Sequence, residues 1–474
     1  MPEHRRVLFL ANVGNRDLNV DGQPVSDDHR ARGEAILADY AAYAGRLSAP
    51  ILEVALQRVL REGTADQPLL VTVGLFGTDQ PSSAGSHRRR DTAPFAHVLA
   101  RYLPERFPPQ QRQVHGHVEK PVLVRTIDEN PSYYDAMYEW FGTQLARVEP
   151  ARFDCCYVSP VGGTPAANFG LLLRAIERFE RRCQVLYVPE GGRQPVVLDI
   201  ADHLVQRVVR ARARDAIERY EFARAADLLQ ETGADPALIA LAEHTAHRLH
   251  FDFEQARAAL DAPATKSARN ECRELMRRLN EGLDALLDGE PCALVAELYY
   301  NLLVTYEQGR YVDFLARLFR LHEALLRLLV EKTLGLPTDE EKGRAHPAYT
   351  AGIEQAPALK AFLDQRSERG VFDATRPPNR WALEQLATYA VTQAGAASPW
   401  PELAAGLKRI QALADLRNKS IGGHGFRGVS RAVLGRAYRG DLLADLATMM
   451  ALLNVSAEAS PFEQVRRALL AEGS

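Results

Sequence analysis

Val7-Leu8-Phe9-Leu10-Ala11-Asn12-Val13-Gly14-Asn15-Arg16-Asp17 is an unbroken apolar run that gives way at once to a polar glycine turn. An apolar run without alternation marks a strand covered on both faces, as in a parallel sheet. Cys155-Cys156-Tyr157-Val158-Ser159-Pro160-Val161-Gly162-Gly163-Thr164-Pro165 repeats the logic. Around these two stretches, further short runs at Leu69–Val73, Val122–Ile127 and Val185–Val188 alternate with helix-like segments. The helical patterns cover Glu34–Leu47, Ile51–Arg61, Pro94–Tyr102, Tyr133–Val148 and Asn168–Arg181. Such alternation predicts an α/β, Rossmann-like N-terminal domain over residues 1–205, with any ligand at the carboxyl ends of its strands.

The two turns carry the chemistry of an anion pocket. Gly162 and Gly163 permit close approach, Thr164 suits an N-cap and Pro165 the first helical position. Amides at such a helix start, with the positive end of the helix dipole behind them, attract an anion. Asn168, about a turn later, can add an amide contact. On the first turn, Asn12 and Asn15 can read a base or ribose, Gly14 lies between them, Arg16 can pair with phosphate, and Asp17 braces the loop. The same Gly-Gly-Thr-Pro residues also suit an ordinary strand-to-helix turn. No Gly-x-Gly-x-x-Gly or P-loop lysine pattern is present, which disfavours dinucleotide and ATP-hydrolysis readings.

After Val196–Ile200 the strand signal fades. Residues 206–264 read as a helical connector, in which Tyr220-Glu221-Phe222 with Ala225 is echoed by Phe251-Asp252-Phe253 with Ala256. The echo fits either a pair of tetratricopeptide-like hairpins or an Ala-rich, Arg-rich helical segment. A loop around Asp261-Ala262-Pro263-Ala264 marks the next boundary. Residues 265–474 are expected to be all-α, interrupted by a polar, mobile loop from Thr338 to Gly352. His244, His247 and His250 stand at i, i+3 and i+6, but no cysteine completes a metal set and they read as helix surface. Arg320 and Glu323 read as a surface ion pair.

With 474 residues the chain has room for two or three domains with proper cores. A net charge of −3 and a pI near 6.5 argue against coating nucleic acid through overall charge. Any nucleic-acid contact must then be local. Residues 401–440 offer Lys408, Arg409, Arg417, Lys419, Arg427, Arg431, Arg436 and Arg439 against Glu402 and Asp415, a pattern also compatible with a solvated basic face. Five cysteines without zinc-type spacing suggest reduced thiols in a cytoplasmic protein. No stretch is long enough to span a bilayer. The short apolar run after the basic start breaks too soon for a signal peptide.

Within that basic stretch, Arg417-Asn418-Lys419-Ser420-Ile421-Gly422-Gly423-His424 sets an arginine and a polar residue before a lone histidine. A guanidinium holds a phosphate through a fixed fork, and an imidazole exchanges protons near neutral pH. Seven helical steps of about 100° would return His424 to the face of Arg417, but the glycines place His424 at a helix end or just beyond. With the 2′-hydroxyl of RNA as nucleophile, His424 can move the proton, Arg417 can steady charge on phosphorus and Asn418 can orient either one, without a metal.

Taken together, these motifs resemble the CARF–HEPN ribonucleases that accompany type III CRISPR systems. The Leu10–Asp17 and Gly162–Pro165 turns look like the two ligand loops of a CARF sensor, and Arg417-Asn418 with His424 matches the HEPN pattern at a six-residue spacer. The resemblance implies a CARF domain, a connector and a HEPN domain in a homodimer that binds cyclic oligoadenylate across its two-fold axis. It further implies antiviral defence by metal-independent cleavage of single-stranded RNA at a composite site, with no cofactor. Two other readings remain: a sensor that binds the nucleotide without cutting, and an unregulated HEPN toxin.

Overall fold

A computed structural model of the protein describes residues 4–26, 28–109, 115–189, 194–263, 270–368, 370–394 and 398–472. They form two compact units, Met1–Val208 and Val209–Ser474. The expected boundary at residues 264–265 lies outside the described residues.

The first unit is α/β and Rossmann-like. Its strands are β1 (Arg5–Asn12), β2 (Asn19–Val20), β3 (Gln23–Pro24), β4 (Leu47–Ser48), β5 (Leu69–Thr78), β6 (Gly116–Val118), β7 (Leu123–Ile127), β8 (Cys155–Ser159), β9 (Cys183–Tyr187) and β10 (Val196–Leu198). The helices are α1 (His29–Ala38), α2 (Tyr40–Tyr43), α3 (Pro50–Leu60), α4 (Ala93–Arg106), α5 (Tyr134–Ala146), α6 (Pro165–Phe179) and α7 (Ile200–Glu218), the last running on into the second unit. The main sheet has the order β10-β9-β8-β1-β5-β6, with β7 also on β5. Every pairing is parallel except that of the edge strand β10. β1 lies between β5 and β8, so the chain leaves it in one direction and later returns to its other side. That makes the β1–β8 crevice the topological switch point.

Burial explains why β1 and β8 read as continuous apolar runs. Val7, Phe9, Ala11, Cys155 and Tyr157 pack on one face with residues of α1, α3 and α4. Leu8, Leu10, Cys156 and Val158 pack on the other with α5, α6 and the start of α7. The adjacent cysteines thus face opposite cores, as alternation along a strand requires. On the second face, a Cβ on Gly170 would lie 2.8 Å from the Met137 carbonyl carbon, so glycine lets α6 lie close against α5.

The second unit is helical: α8 (Phe222–Glu231), α9 (Pro236–Leu249), α10 (Phe253–Leu260), α11 (Asn270–Leu287), α12 (Pro291–Glu307), α13 (Tyr311–Leu334), α14 (Pro347–Glu354), α15 (Pro357–Arg366), α16 (Arg380–Gln393), α17 (Trp400–Ile410), α18 (Ala414–Lys419), α19 (Arg431–Ala437), α20 (Leu442–Ala451) and α21 (Pro461–Glu472). Leucines recur along α13 and are buried on several sides of it, which makes this helix the centre of the main core. It ends at Gly335 in the left-handed conformation (φ 66°), a common helix stop. α8 to α11 share a second core with Val465 and Leu469 of α21.

Two expectations need correction, and a third takes a definite structural form. The Thr338–Gly352 segment is not a plain loop: it holds a small hairpin, β11 (Glu340–Glu341) and β12 (Arg344–Ala345), and most of α14, with Thr338 and Tyr349 buried. His244 is core, not surface, because α9 is packed by α8, α10 and α21; its Nδ1 lies 2.9 Å from the Ala256 carbonyl. The aromatic echo is a repeated turn. Tyr220 (φ 58°) and Phe251 (φ 60°) both stop a helix, and the following amides bond back to Ala216 and His247. The same turn recurs at Gly289 and Gly309, before α12 and α13.

Candidate functional site

Two loops meet at the carboxyl ends of β1 and β8. A Cβ on Gly14 would sit 2.6 Å from the amide nitrogen of Gly163, and one on Gly162 would sit 2.2 Å from both the Asn12 carbonyl oxygen and Asp17 Oδ2. Glycine is therefore required by contact between the loops, and Gly163 also adopts φ 78°. Asp17 is buried beneath them and accepts a hydrogen bond from the Gly14 amide at 2.6 Å. Burial pushes its carboxyl up to about 7, against the opposing pull of that amide.

Above the loops lies a cleft of about 730 Å³, lined by Gly14, Asn15, Arg16, Asp17, Gly162 and Gly163 together with Pro50, Ile51, Val54, Pro160, Val161, Tyr187, Val188 and Pro189. Five of the expected ligand residues are thus brought together: Gly14, Asn15, Arg16, Gly162 and Gly163. The other four do not line the cleft. Asn12 is buried, and its Nδ2 donates to Asn168 Oδ1 at 2.9 Å, so this pair ties β1 to α6. The Thr164 hydroxyl accepts from the Ala167 amide at 3.2 Å, donates to the Pro131 carbonyl and caps α6, with Pro165 following as the first helical residue. The helix start on the cleft belongs instead to α3, whose first-turn residues Pro50 and Ile51 line it. At that start Pro50 has no amide hydrogen and the Ala49 amide is taken by Glu53 Oε1 at 2.8 Å, which leaves the amides of Ile51 and Leu52 as its donors to an anion. Half-exposed Tyr187, at the carboxyl end of β9, adds an aromatic face.

In the second unit, α18 ends at Lys419, so helical phase does not align the Arg417–His424 pair. A tight turn does. The Ser420 hydroxyl donates to the Arg417 carbonyl at 2.8 Å, and the amides of Gly423 and Gly425 return to the Ser420 carbonyl at 3.0 and 3.2 Å. The His424 amide donates to the Asn418 carbonyl at 2.9 Å. A Cβ on Gly423 would lie 2.4 Å from the Arg417 carbonyl oxygen, and one on Gly425 2.2 Å from that of Lys419. Arg417 Nη1 donates to Asn418 Oδ1 at 3.0 Å, and its guanidinium lies 5.6 Å from the centre of the Phe319 ring of α13. Arg417 is half-buried, while Asn418 and His424 are exposed. An anchored guanidinium, an amide and an accessible imidazole on one turn can hold a phosphate and exchange a proton beside it.

Some of the basic stretch is spent locally. Arg409 pairs with Asp445 at 3.2 Å and Lys419 with Asp415 at 2.8 Å. Arg320 stands 3.8 Å from Glu323, which holds Arg327 more closely at 3.0 Å. Among the described residues no group of three or more His, Cys, Asp or Glu could hold a metal ion, and no helix is long and apolar enough to cross a membrane.

No family model and no curated protein matches the chain. A solved structure does: Csm6 of Enterococcus italicus bound to cyclic hexa-2′-fluoro-hexa-dAMP, with a TM-score of 0.52 over 99% of each chain at 12% sequence identity. This chain has the fold of that protein along its whole length.

Proposed function

We propose that the protein is a cyclic-oligoadenylate-activated, metal-independent endoribonuclease acting on single-stranded RNA, a cytoplasmic homodimer of type III CRISPR antiviral defence. The first unit is its CARF sensor, with the cleft at the β1–β8 switch point as the activator site. The HEPN site is Arg417, Asn418 and His424. What supports the reading is the turn that returns the His424 backbone to the helix end bearing Arg417 and Asn418, on a fold shared end to end with a Csm6 that was solved with a cyclic oligonucleotide bound.

The chemistry needs nothing beyond these side chains and the substrate. The 2′-hydroxyl attacks the adjacent phosphorus and loses its proton; the P–O5′ bond breaks, and the 5′-oxygen gains a proton. The products are a 2′,3′-cyclic phosphate and a 5′-hydroxyl. His424 carries protons, worth on the order of a hundred- to ten-thousand-fold in rate, and Arg417 balances the charge that gathers on the phosphoryl oxygens. Asn418 holds the guanidinium in place. On the same turn Phe426 and Ile421 are 94% and 68% exposed. Apolar side chains held out beside a charged site fit burial against a second copy, which would set two such turns side by side.

The test is cleavage of a fluorescent single-stranded RNA in EDTA, with no ligand, cyclic tetra-adenylate or cyclic hexa-adenylate. Activity with one ring, abolished in Arg417→Ala and His424→Ala while ring binding persists, is the expected result. Ring binding with no cleavage by the wild type would make the protein a non-catalytic sensor, and cleavage indifferent to both rings would remove the regulation.

A further inference from the structure

A second cavity, of about 640 Å³, opens beside α13 in the helical unit, away from the face that carries Phe319. Its lining on α13 follows one helical stripe through Arg317, Arg320, Ala324, Arg327, Leu328 and Glu331. Opposite lie Leu294 and Leu298 of α12, and Phe251 of the α9–α10 turn stands at the lip.

The cations of this cavity are unequally satisfied. Arg327 is held by Glu323 and the Thr338 carbonyl, while Glu331 accepts from the Thr338 amide and hydroxyl. Asp339 adds one further carboxylate to the lining. Among the described residues Arg320 has only its loose pair with Glu323. Arg317 is half-buried, and its Nε is fully buried without a hydrogen-bond partner among the described residues. Burial draws its proton affinity below the ordinary arginine value, against the pull of Asp313 and with the push of Arg310. A desolvated donor without an acceptor is costly, and an arriving anion relieves that cost. Phe251 is partly exposed, and its ring stands edge-on to Phe253 with centres 5.9 Å apart, which fixes an aromatic face at the cavity.

We propose that this cavity binds a nucleoside phosphate unit, its phosphate on Arg317 and Arg320 and its base on the apolar wall of Leu294, Leu298 and Phe251. Planar guanidinium forks match phosphate oxygens, and a flat base suits an aromatic and aliphatic wall. The unit comes either from a free nucleotide or from one position of an RNA strand. As an RNA subsite it rests on the ribonuclease reading; as a nucleotide site it does not.

The experiment uses the full chain carrying His424→Ala, with two further variants built on it: Arg317→Gln with Arg320→Gln, and Ala324→Phe, which fills the cavity without touching charge. Binding of a fluorescein-labelled ten-nucleotide single-stranded RNA is read by anisotropy, AMP binding by calorimetry, and folding by melting temperature. The arginine variant should melt no lower than its parent, because it removes two charges whose only ion pair among the described residues is the loose one between Arg320 and Glu323 at 3.8 Å. RNA binding weakened about tenfold in both variants, with AMP inert, identifies a strand subsite. AMP binding lost in both identifies a free-nucleotide site. Unchanged binding of both probes in both variants, or binding of neither by the parent, overturns the proposal. Cleavage by the wild-type protein is scored in parallel, so an active nuclease with indifferent variants sinks the cavity and leaves the ribonuclease standing.

Discussion

The backbone amide of His424 is bonded to the carbonyl of Asn418 at 2.9 Å, so the histidine is carried by the end of the helix that bears Arg417. The backbone of His424 is thus placed by the local turn from Asn418 to His424.

That dependence makes Gly425 a sensitive position. A methyl there would stand 2.2 Å from the Lys419 carbonyl oxygen, and the turn must open to admit it. Gly425→Ala is expected to lower RNA cleavage by about a hundredfold with activator binding and melting temperature nearly unchanged, since displacement of about an ångström has that cost. Full activity in this variant would show that His424 does not act from this position.

In the first unit the equivalent probe is Gly162→Ala. Its Cβ would collide with the Asn12 carbonyl and with Asp17, forcing the β1 and β8 loops apart. Cyclic oligoadenylate binding by calorimetry should weaken by at least about tenfold, and activated cleavage should fall with it. Unaltered binding would place the activator elsewhere.

Stability should respond to pH in one sense at Asp17 and in the opposite sense at His244 and His322. Asp17 is raised by burial to about 7, so the folded chain holds its proton where the unfolded chain has released it. Its contribution is complete below about pH 4 and is lost as pH rises toward 7. His244 and His322 are lowered to about 4, chiefly by burial, with the charge of Arg248 and of Arg380 respectively acting in the same direction. Their contribution is complete above about pH 6.5 and is lost as pH falls toward 4. Urea midpoints at pH 5, 6 and 8 should show Asp17→Asn gaining on the wild type as pH rises. A constant difference between the two proteins would mean that Asp17 is ionised throughout.

A buried ion pair anchors α9 to α12. Arg248 Nε and Nη2 donate to the two carboxylate oxygens of Glu297 at 2.7 and 2.9 Å, with both side chains out of solvent. Removing one partner strands the other, at a cost of about 3–5 kcal/mol. Arg248→Ala should show that loss in denaturant unfolding, and Arg248→Met with Glu297→Leu should recover most of it. A single-variant loss below about 1 kcal/mol would indicate that water reaches the pair.

The sequence made legible what depends on local pattern. Doubly buried strands show as apolar runs, and loops pressed together show as Gly14 and Gly162-Gly163. The two-residue strands β2 to β4 and β11 to β12 are too short to leave a period, and β6 is Gly-His-Val. Asn12 and Asn168 were visible as amides, but that they would spend themselves on each other depends on β8 returning beside β1, 156 residues away from one partner to the other. Tyr187, at the end of the strand candidate Val185–Val188, and Pro189, just after it, are absent from the expected ligand set, although the rule that ligands gather at carboxyl strand ends points to them. His244 reads as surface from sequence because helix phase tells which residues share a face, not how many neighbours cover that helix.

The central position of β1 also bears on how the chain is made. Val7 pairs with Cys155, and Arg6 and Asp154 close the register with bonds of 2.8 Å across 148 residues. At about 5–20 residues per second, a ribosome needs roughly 7–30 s to deliver the second strand after the first. Through that interval one long edge of an almost wholly apolar strand stands open, the kind of surface that recruits other nascent chains. Overexpressed protein should therefore be lost to inclusion bodies early in synthesis, and slower initiation or a holding chaperone at the exit tunnel should raise the soluble yield more than any stabilising change in the helical unit.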